Sequence, residues 1–237
     1  MINGFGASAS ALDAYARQIE TSSNNLANIS TSGYKSRRAD QQPLAQGGVN
    51  IASVTISKEA GGLLQTGDPL DISILGQGFF NLAVPGGKAG FSRNGSFSTN
   101  AQGQLADANG NVLQPPITIP GNATGVSVDR SGVVSAMVGG NAVPLGRINL
   151  SVFPNPDGLA AAGGNIFLQT DASGSPLAGA PGAGGRGELL SGFLEASNVD
   201  IARESVNMIV AGAGFKASAK AIKTKDQMIG TVLDLKA

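Results

Sequence analysis

At 237 residues and 41% hydrophobic side chains, the chain is long and apolar enough to bury one large core or two modest ones. Sixteen Lys and Arg balance sixteen Asp and Glu, so no net field favours nucleic acid or an anionic membrane. Cysteine, histidine and tryptophan are absent, which removes disulfides, thiolate nucleophiles, imidazole bases and the usual zinc ligands. Charged residues make up only 14%, and 35 glycines exceed the usual share.

The start, Met1 to Ala14, has no basic region followed by an apolar run, so the sequence is expected to lack a cleaved signal peptide. From about Gly4 to Ser30 the pattern predicts a helix, because Phe5, Leu12, Ile19 and Leu26 fall on a strict period of seven. Ala9, Ala16 and Ser23 follow that ladder as small companions. Asn24, Asn25 and Asn28, with Ser30, Thr31, Ser32 and Gly33 after them, form a helix exit, since short polar side chains compete for backbone hydrogen bonds.

From Tyr34 to Gly67, short extended runs at Val49, Ile51, Val54 and Ile56 are broken by glycines and predict extended arms. Strands are expected at Asp71 to Leu75, Phe79 to Val84, Gln104 to Ala106, Val112 to Gln114, Ile117 to Ile119, Val126 to Val128, Val133 to Met137 and Ile148 to Phe153. The connectors Arg93-Asn94-Gly95, Asp107 to Gly110 and Asp129 to Gly132 carry hairpin chemistry. Asp171 to Gly187 has almost no side-chain mass and predicts a loop or an extended return.

A second helix is expected from about Ser197 to Leu235, capped by Ser197 or Asn198. Its ladder is Ile201, Met208, Phe215, Ile222 and Ile229. Gly212 and Gly214 sit inside it at about 1 kcal/mol each relative to Ala, tolerable where another helix approaches closely or where the helix bends. No stretch approaches a membrane span.

The fold class expected is therefore α+β. Long N- and C-terminal helices would pair as a coiled-coil-like stem, and a central antiparallel β-rich domain would lie between them. Residues 1–33 and 197–237 form the terminal helical assembly domain, 34–70 the extended linking arms, and 71–196 the β-rich domain with its Gly-rich return loop. A heptad seam serves equally for packing inside one molecule and between molecules, and periodicity alone leaves both open.

Sites of chemistry are sparse. Gly182, Gly184 and Gly187 match the dinucleotide-loop spacing, yet no strand precedes them and no βαβ unit surrounds them. Asp107, Asn109 and Asn111 imitate half a calcium loop without its bidentate Glu, and a turn explains them. Asp68 and Asp71 could pair as acid and base, but they border a turn. No catalytic residue, cofactor site or metal site is expected.

Specific blocks go further. Ser22 to Asn28 (SSNNLAN), running into Thr31-Ser32-Gly33-Tyr34-Lys35, resembles the N-terminal signature of the bacterial flagellar rod and hook proteins. Phe193 to Val199 (FLEASNV), with Glu204, Val206, Asn207, Met208, Ile209 and later Asp226-Gln227-Met228, is similar to that family's C-terminal signature. Gly67-Asp68-Pro69-Leu70-Asp71, Gly76 to Phe80, Phe91 to Phe97 and Phe153 to Leu159 are similar to its distal-rod branch. The chain departs from the family pattern at Val210 to Lys216.

The resemblance implies a non-enzymatic subunit of the flagellar basal-body rod, most like the distal rod, spanning the periplasm and exported without a cleaved signal. It would polymerise helically into the axial shaft that carries motor torque, with the terminal helices innermost and the β domain outward. Implied partners are copies of itself and neighbouring rod and hook proteins; the surrounding ring bushing and the flagellar export apparatus are further candidates. Nucleic acid and a direct membrane span are not implied. The two ladders would carry subunit packing, and Asn24, Asn25, Asn28, Asn198 and Asn207 would supply hydrogen bonds at helix ends or between helices, unless they only cap their own helices. A proximal-rod or hook subunit is the alternative within the family, and a secreted surface fibre or adhesin subunit the alternative outside it.

Overall fold

The computed structural model describes residues 3–45, 47–57 and 59–234, with side chains over 6–45, 47–57 and 59–231. Two α-helices occur among the described residues, α1 (Asn3–Ala27) and α2 (Ile201–Asp234), and all the strands lie between them. Contacts divide the chain into two compact units. One comprises Met1–Ile29, Ser36–Ser57 and Val199–Ala237, and the other Ser30–Lys35 and Lys58–Asn198.

The first unit consists of α1, α2 and an antiparallel hairpin of β1 (Arg37–Pro43) and β2 (Val49–Ile56), bulged between Asp40 and Gln41. Helix α1 stops where its asparagines begin to take backbone groups. Asn28 Nδ2 donates to the Asn24 carbonyl at 2.8 Å, and short bonds from Asn28 N to Asn25 O and from Ile29 N to Leu26 O tighten the last turn. Helix α2 starts later than the sequence suggested. Asp200 caps it, accepting the Arg203 N–H at 3.0 Å, and that bond holds the Asp200 carboxyl below its usual range. Asn198 is engaged elsewhere, donating to the Glu59 carbonyl at 2.9 Å.

The coiled-coil-like stem expected from the two bulky ladders does not form. One helix stands at each end of the chain, and the buried side chains along them are Ala14, Ser22 and Asn25 of α1 with Glu204 and Ala211 of α2, all small or polar. Leu12, Ile19, Leu26, Met208 and Ile222 are only half-buried, while Ile201, Phe215 and Ile229 are exposed. The physical reason lies at Gly214. A Cβ there would fall inside the Tyr15 ring, so the helices approach at a glycine, where a bulky α2 side chain has no room. Of the two explanations for a helical glycine, close approach holds at Gly214; Gly212 has nothing within 4 Å of a built Cβ.

The second unit holds the remaining strands, β3 (Leu63–Gln65), β4 (Ile72–Leu75), β5 (Phe79–Val84), β6 (Lys88–Ser92), β7 (Phe97–Thr99), β8 (Leu105–Asp107), β9 (Val112–Leu113), β10 (Gly125–Val128), β11 (Val133–Val138) and β12 (Asn141–Arg147). They continue as β13 (Leu150–Val152), β14 (Ala160–Gly163), β15 (Ile166–Leu168), β16 (Leu177–Gly179), β17 (Glu188–Ser191) and β18 (Phe193–Glu195). The largest sheet runs β14-β15-β6-β5-β9-β8-β7, with β13 joining β5 to β16. A three-stranded sheet β10-β11-β12 and the ribbons β4-β17 and β3-β18 complete it, every pairing antiparallel.

Alternation along β5 and β11 puts Phe80, Leu82, Val134 and Ala136 inside, where they meet Ile72, Leu105, Leu113, Ile148, Leu150 and Leu189. Ile117 is buried as well, but its segment makes only an isolated bridge, Thr118 with Gln104, instead of the expected strand. The Gly-rich return contributes β16, which pairs with β13. Asp107 to Gly110 and Asp129 to Gly132 do join paired strands. Arg93-Asn94-Gly95 does not, since β6 pairs with β5 and β15, and β7 with β8.

Candidate assembly site

Asn25 is the centre of the helical unit and is fully buried. Its Nδ2 donates to Glu204 Oε1 at 2.8 Å and to the Arg37 carbonyl at 2.8 Å, while its Oδ1 accepts the Arg37 N–H at 2.9 Å. One amide thus reads the first residue of β1 as a neighbouring strand would, and ties that strand to α2. Glu204 is buried beside it and also accepts from Asn207 Nδ2 at 3.4 Å. Moving ten positions back along α1, from Asn25 to Tyr15, matches ten forward along α2, from Glu204 to Gly214, so the helices run antiparallel in one register. A buried polar contact specifies register because every slipped pairing leaves it unsatisfied.

The asparagines of the signature therefore divide. Asn25 bonds between helices and to the hairpin, Asn28 and Asn24 bond to each other, Asn198 ties to residue 59, and Asn207 lies inside α2, one turn from Glu204. The ladders divide as well. Leu12, Ile19, Leu26, Met208 and Ile222 are half-buried, and Ile201, Phe215 and Ile229 are 58%, 38% and 41% exposed. Phe5 lies in α1, with its side chain outside the described residues. Val206, Ile209 and Val210, beyond the ladder, are exposed at 58%, 70% and 58%, an apolar stripe on α2 with no cover in the monomer.

Sequence reasoning missed a second polar centre, inside the β-rich unit. Glu195 Oε1 lies 2.6 Å from Lys35 Nζ and accepts the Gly61 N–H at 3.0 Å; Glu195 Oε2 receives Arg93 Nε at 2.9 Å and Arg93 Nη2 at 2.8 Å. Arg93 donates onward to the carbonyls of Ile74, Gly76 and Gly78, and Lys35 to that of Glu59 at 2.7 Å. All three side chains are buried.

Burial alone would raise the Glu195 carboxyl, but Arg93 and Lys35 outweigh it and hold it below the usual carboxylate range. Burial lowers the Lys35 ammonium, and the Glu195 partner offsets this only in part. Gly33 makes the crossing possible. At φ +68° it presses on the Arg93–Asn94 backbone, where a Cβ would lie 2.5 Å from Asn94 N. The available signal was Arg93 itself, a large cation placed where a small turn residue was expected.

The weaker motifs resolve as turns. Asp107 Oδ1 accepts the N–H groups of Asn109 and Asn111, and Oδ2 accepts Asn111 Nδ2, so the carboxylate is occupied within its own hairpin. The Gly182 to Gly187 stretch links β16 to β17, with no helix behind it. Among the described residues no group of three or more acidic, Cys or His side chains could hold a metal ion, and no helix is long and apolar enough to cross a membrane.

Comparison with known proteins bears on these same segments. A family model described as flagella basal body rod protein matches residues 6–35, one described as the flagellar hook protein FlgE/F/G D1 domain matches 73–136, and one described as flagellar basal body rod FlgEFG protein C-terminal matches 190–235. The flagellar basal-body rod protein FlgG of Caulobacter vibrioides is 37% identical over 97% of this chain and 97% of its own length.

The chain belongs to the flagellar basal-body rod family.

FlgG of Buchnera aphidicola subsp. Acyrthosiphon pisum is likewise 37% identical, over 97% of this chain and 98% of its own, and FlgG of Bacillus subtilis 30% identical over the whole of both. The flagellar hook protein FlgE of Helicobacter pylori matches 49% of this chain but 16% of its own length. As a rod-family protein the chain is a structural subunit of the bacterial flagellum. Each of the three matched segments supplies one member of the buried ion cluster: Lys35 closes the first, Arg93 lies in the second and Glu195 in the third.

Proposed function

We propose that this rod-family subunit builds the distal rod, polymerising helically into the shaft that passes motor torque to the hook. The observation that carries this reading is end-to-end coverage. Rod relatives align over nearly the whole of both chains, whereas the hook protein extends far beyond the match. On this reading the chain is not an enzyme, its neighbours are copies of itself and adjoining rod and hook proteins, and it reaches the basal body through the flagellar export apparatus and passes within the ring bushing.

Assembly is assigned to the terminal segments 1–33 and 197–237, with 34–70 as linking arms and 71–196 as the β-rich domain. Subunit packing would use the ladder residues left open in the monomer, Ile201, Phe215 and Ile229, and, on a different side of α2, Val206, Ile209 and Val210. A shaft needs identical contacts that do not close on themselves, and an uncovered apolar helix stripe offers one half of such a contact. The test is deletion of the gene followed by electron microscopy of basal bodies. Truncation at the distal rod with loss of swimming is expected. Intact rods lacking only hooks would favour the hook reading, and normal flagella with lost surface attachment would favour an adhesin.

A further inference from the structure

We infer that Lys35, Arg93 and Glu195 form a closure latch that makes packing of the β-rich unit conditional on the C-terminal block at Glu195. The two cations are placed by segments far upstream. Arg93 follows β6 and reaches the carbonyls of Ile74, Gly76 and Gly78 in the β4–β5 connection, and Lys35 reaches the carbonyl of Glu59. Each of those contacts is to a backbone carbonyl, a dipole without net charge. The charge that both cations use is the Glu195 carboxylate, 102 residues beyond Arg93 and 160 beyond Lys35.

Until that carboxylate arrives, closing β4, β5 and β6 on one another would bury the Arg93 cation, and seating Lys35 on the Glu59 carbonyl a second one, without the Glu195 charge that both use, which a low-dielectric interior opposes. Well-packed apolar side chains would hold the same space as firmly. What the ions add is dependence on one another. A chain made N-terminus first therefore keeps this part of its β-rich unit open until residue 195 is present, and the closed latch joins the first segment of that unit, which ends at Lys35, to its last.

Refolding the full chain from denaturant with pulse-labelled hydrogen exchange tests this. In the native sequence, amides of β5 and β6 should gain protection in the same kinetic phase as those of β3 and β18. In the Lys35→Met/Arg93→Met/Glu195→Met triple variant they should gain it several-fold sooner than β3 and β18. Early protection of β5 and β6 in the native chain overturns the latch, as does a single shared phase in the triple variant. Should the triple variant not fold, the Lys35→Met/Glu195→Gln pair, which leaves the net charge unchanged, is read by the same two outcomes.

Discussion

Lys35 and Glu195 are 160 residues apart in sequence and 2.6 Å apart at Nζ and Oε1, with both side chains buried. Replacing Glu195 with Gln keeps the shape and removes the charge, leaving Lys35 and Arg93 buried against carbonyl dipoles. Loss of one partner of a buried pair costs about 3–5 kcal/mol. Urea unfolding of Glu195→Gln should show a loss of that size in the β-rich unit, and Lys35→Met/Glu195→Gln should recover a large part of it. A single variant as stable as the native chain would mean that Arg93 is neutralised by carbonyls alone.

The same cluster fixes an acid limit. Glu195 has a folded value below its unfolded one, so its contribution is present above the unfolded value, near 4.3, and is lost as pH falls from there through the folded value. Lys35 has a lowered folded value, so the cost of its charged form is relieved as pH rises from the folded value to the unfolded one, near 10.4. Both slopes make stability rise with pH, in separate windows. The stability difference between the native chain and Glu195→Gln should therefore shrink on acidification below about pH 4.3. A difference that stays constant to pH 2 would remove Glu195 from the acid limit.

Asn25 makes a complementary prediction in the helical unit. Truncation to Ala strands the Arg37 N–H and carbonyl and frees one oxygen of the buried Glu204, at about 1–3 kcal/mol per group left unsatisfied. Asn25→Ala should speed amide exchange along β1 and lower helical stability by circular dichroism. Asn25→Asp should be worse, since it sets a carboxylate against Glu204 and has no Nδ2 to donate. Equal stability of the Ala and Asp variants would show that Glu204 does not read the amide.

How much of this was legible follows from what each residue's neighbours in sequence can report. The helices, the exit at Asn28 to Gly33 and the strands β4, β5 and β11 rest on local periodicity and turn chemistry, and the structure has elements there. The strands β14 to β18 are three or four residues long and carry no alternation to read; their partners β3, β4, β6 and β13 define them. The ladders were visible, but their role was not. Which side of α2 faces α1 depends on Gly214 meeting Tyr15 and Asn25 meeting Glu204, contacts across most of the chain. Lys35, Arg93 and Glu195 were each inside a recognised block, and nothing local to any of them says that the three meet.

The two glycines of α2 separate close approach from helix propensity. Gly212→Ala has room and should stabilise the helix by up to about 1 kcal/mol. Gly214→Ala gains the same propensity but drives a methyl into the Tyr15 ring, so the net effect should be destabilising by thermal unfolding. Gly214→Ala combined with Tyr15→Ala should recover part of the loss. A stabilised Gly214→Ala single variant would show that the helices can separate there without cost.

Ile209 and Ile222 distinguish contact within the subunit from contact between subunits. Ile222 is half-buried, whereas Ile209 is 70% exposed on the uncovered stripe. A charge at Ile222 must be desolvated in the monomer, so Ile222→Asp should lower the melting temperature and abolish swimming together. A charge at Ile209 remains in water until a neighbour covers it. Ile209→Asp should leave the melting temperature within about 2 °C, since exposed substitutions change stability by less than about 0.5 kcal/mol, yet stop rod elongation as seen in isolated basal bodies. Soft-agar motility with Ile209→Asp as strong as with the native chain would show that the stripe stays uncovered in the shaft, and would leave Ile201, Phe215 and Ile229 to carry the contact without it.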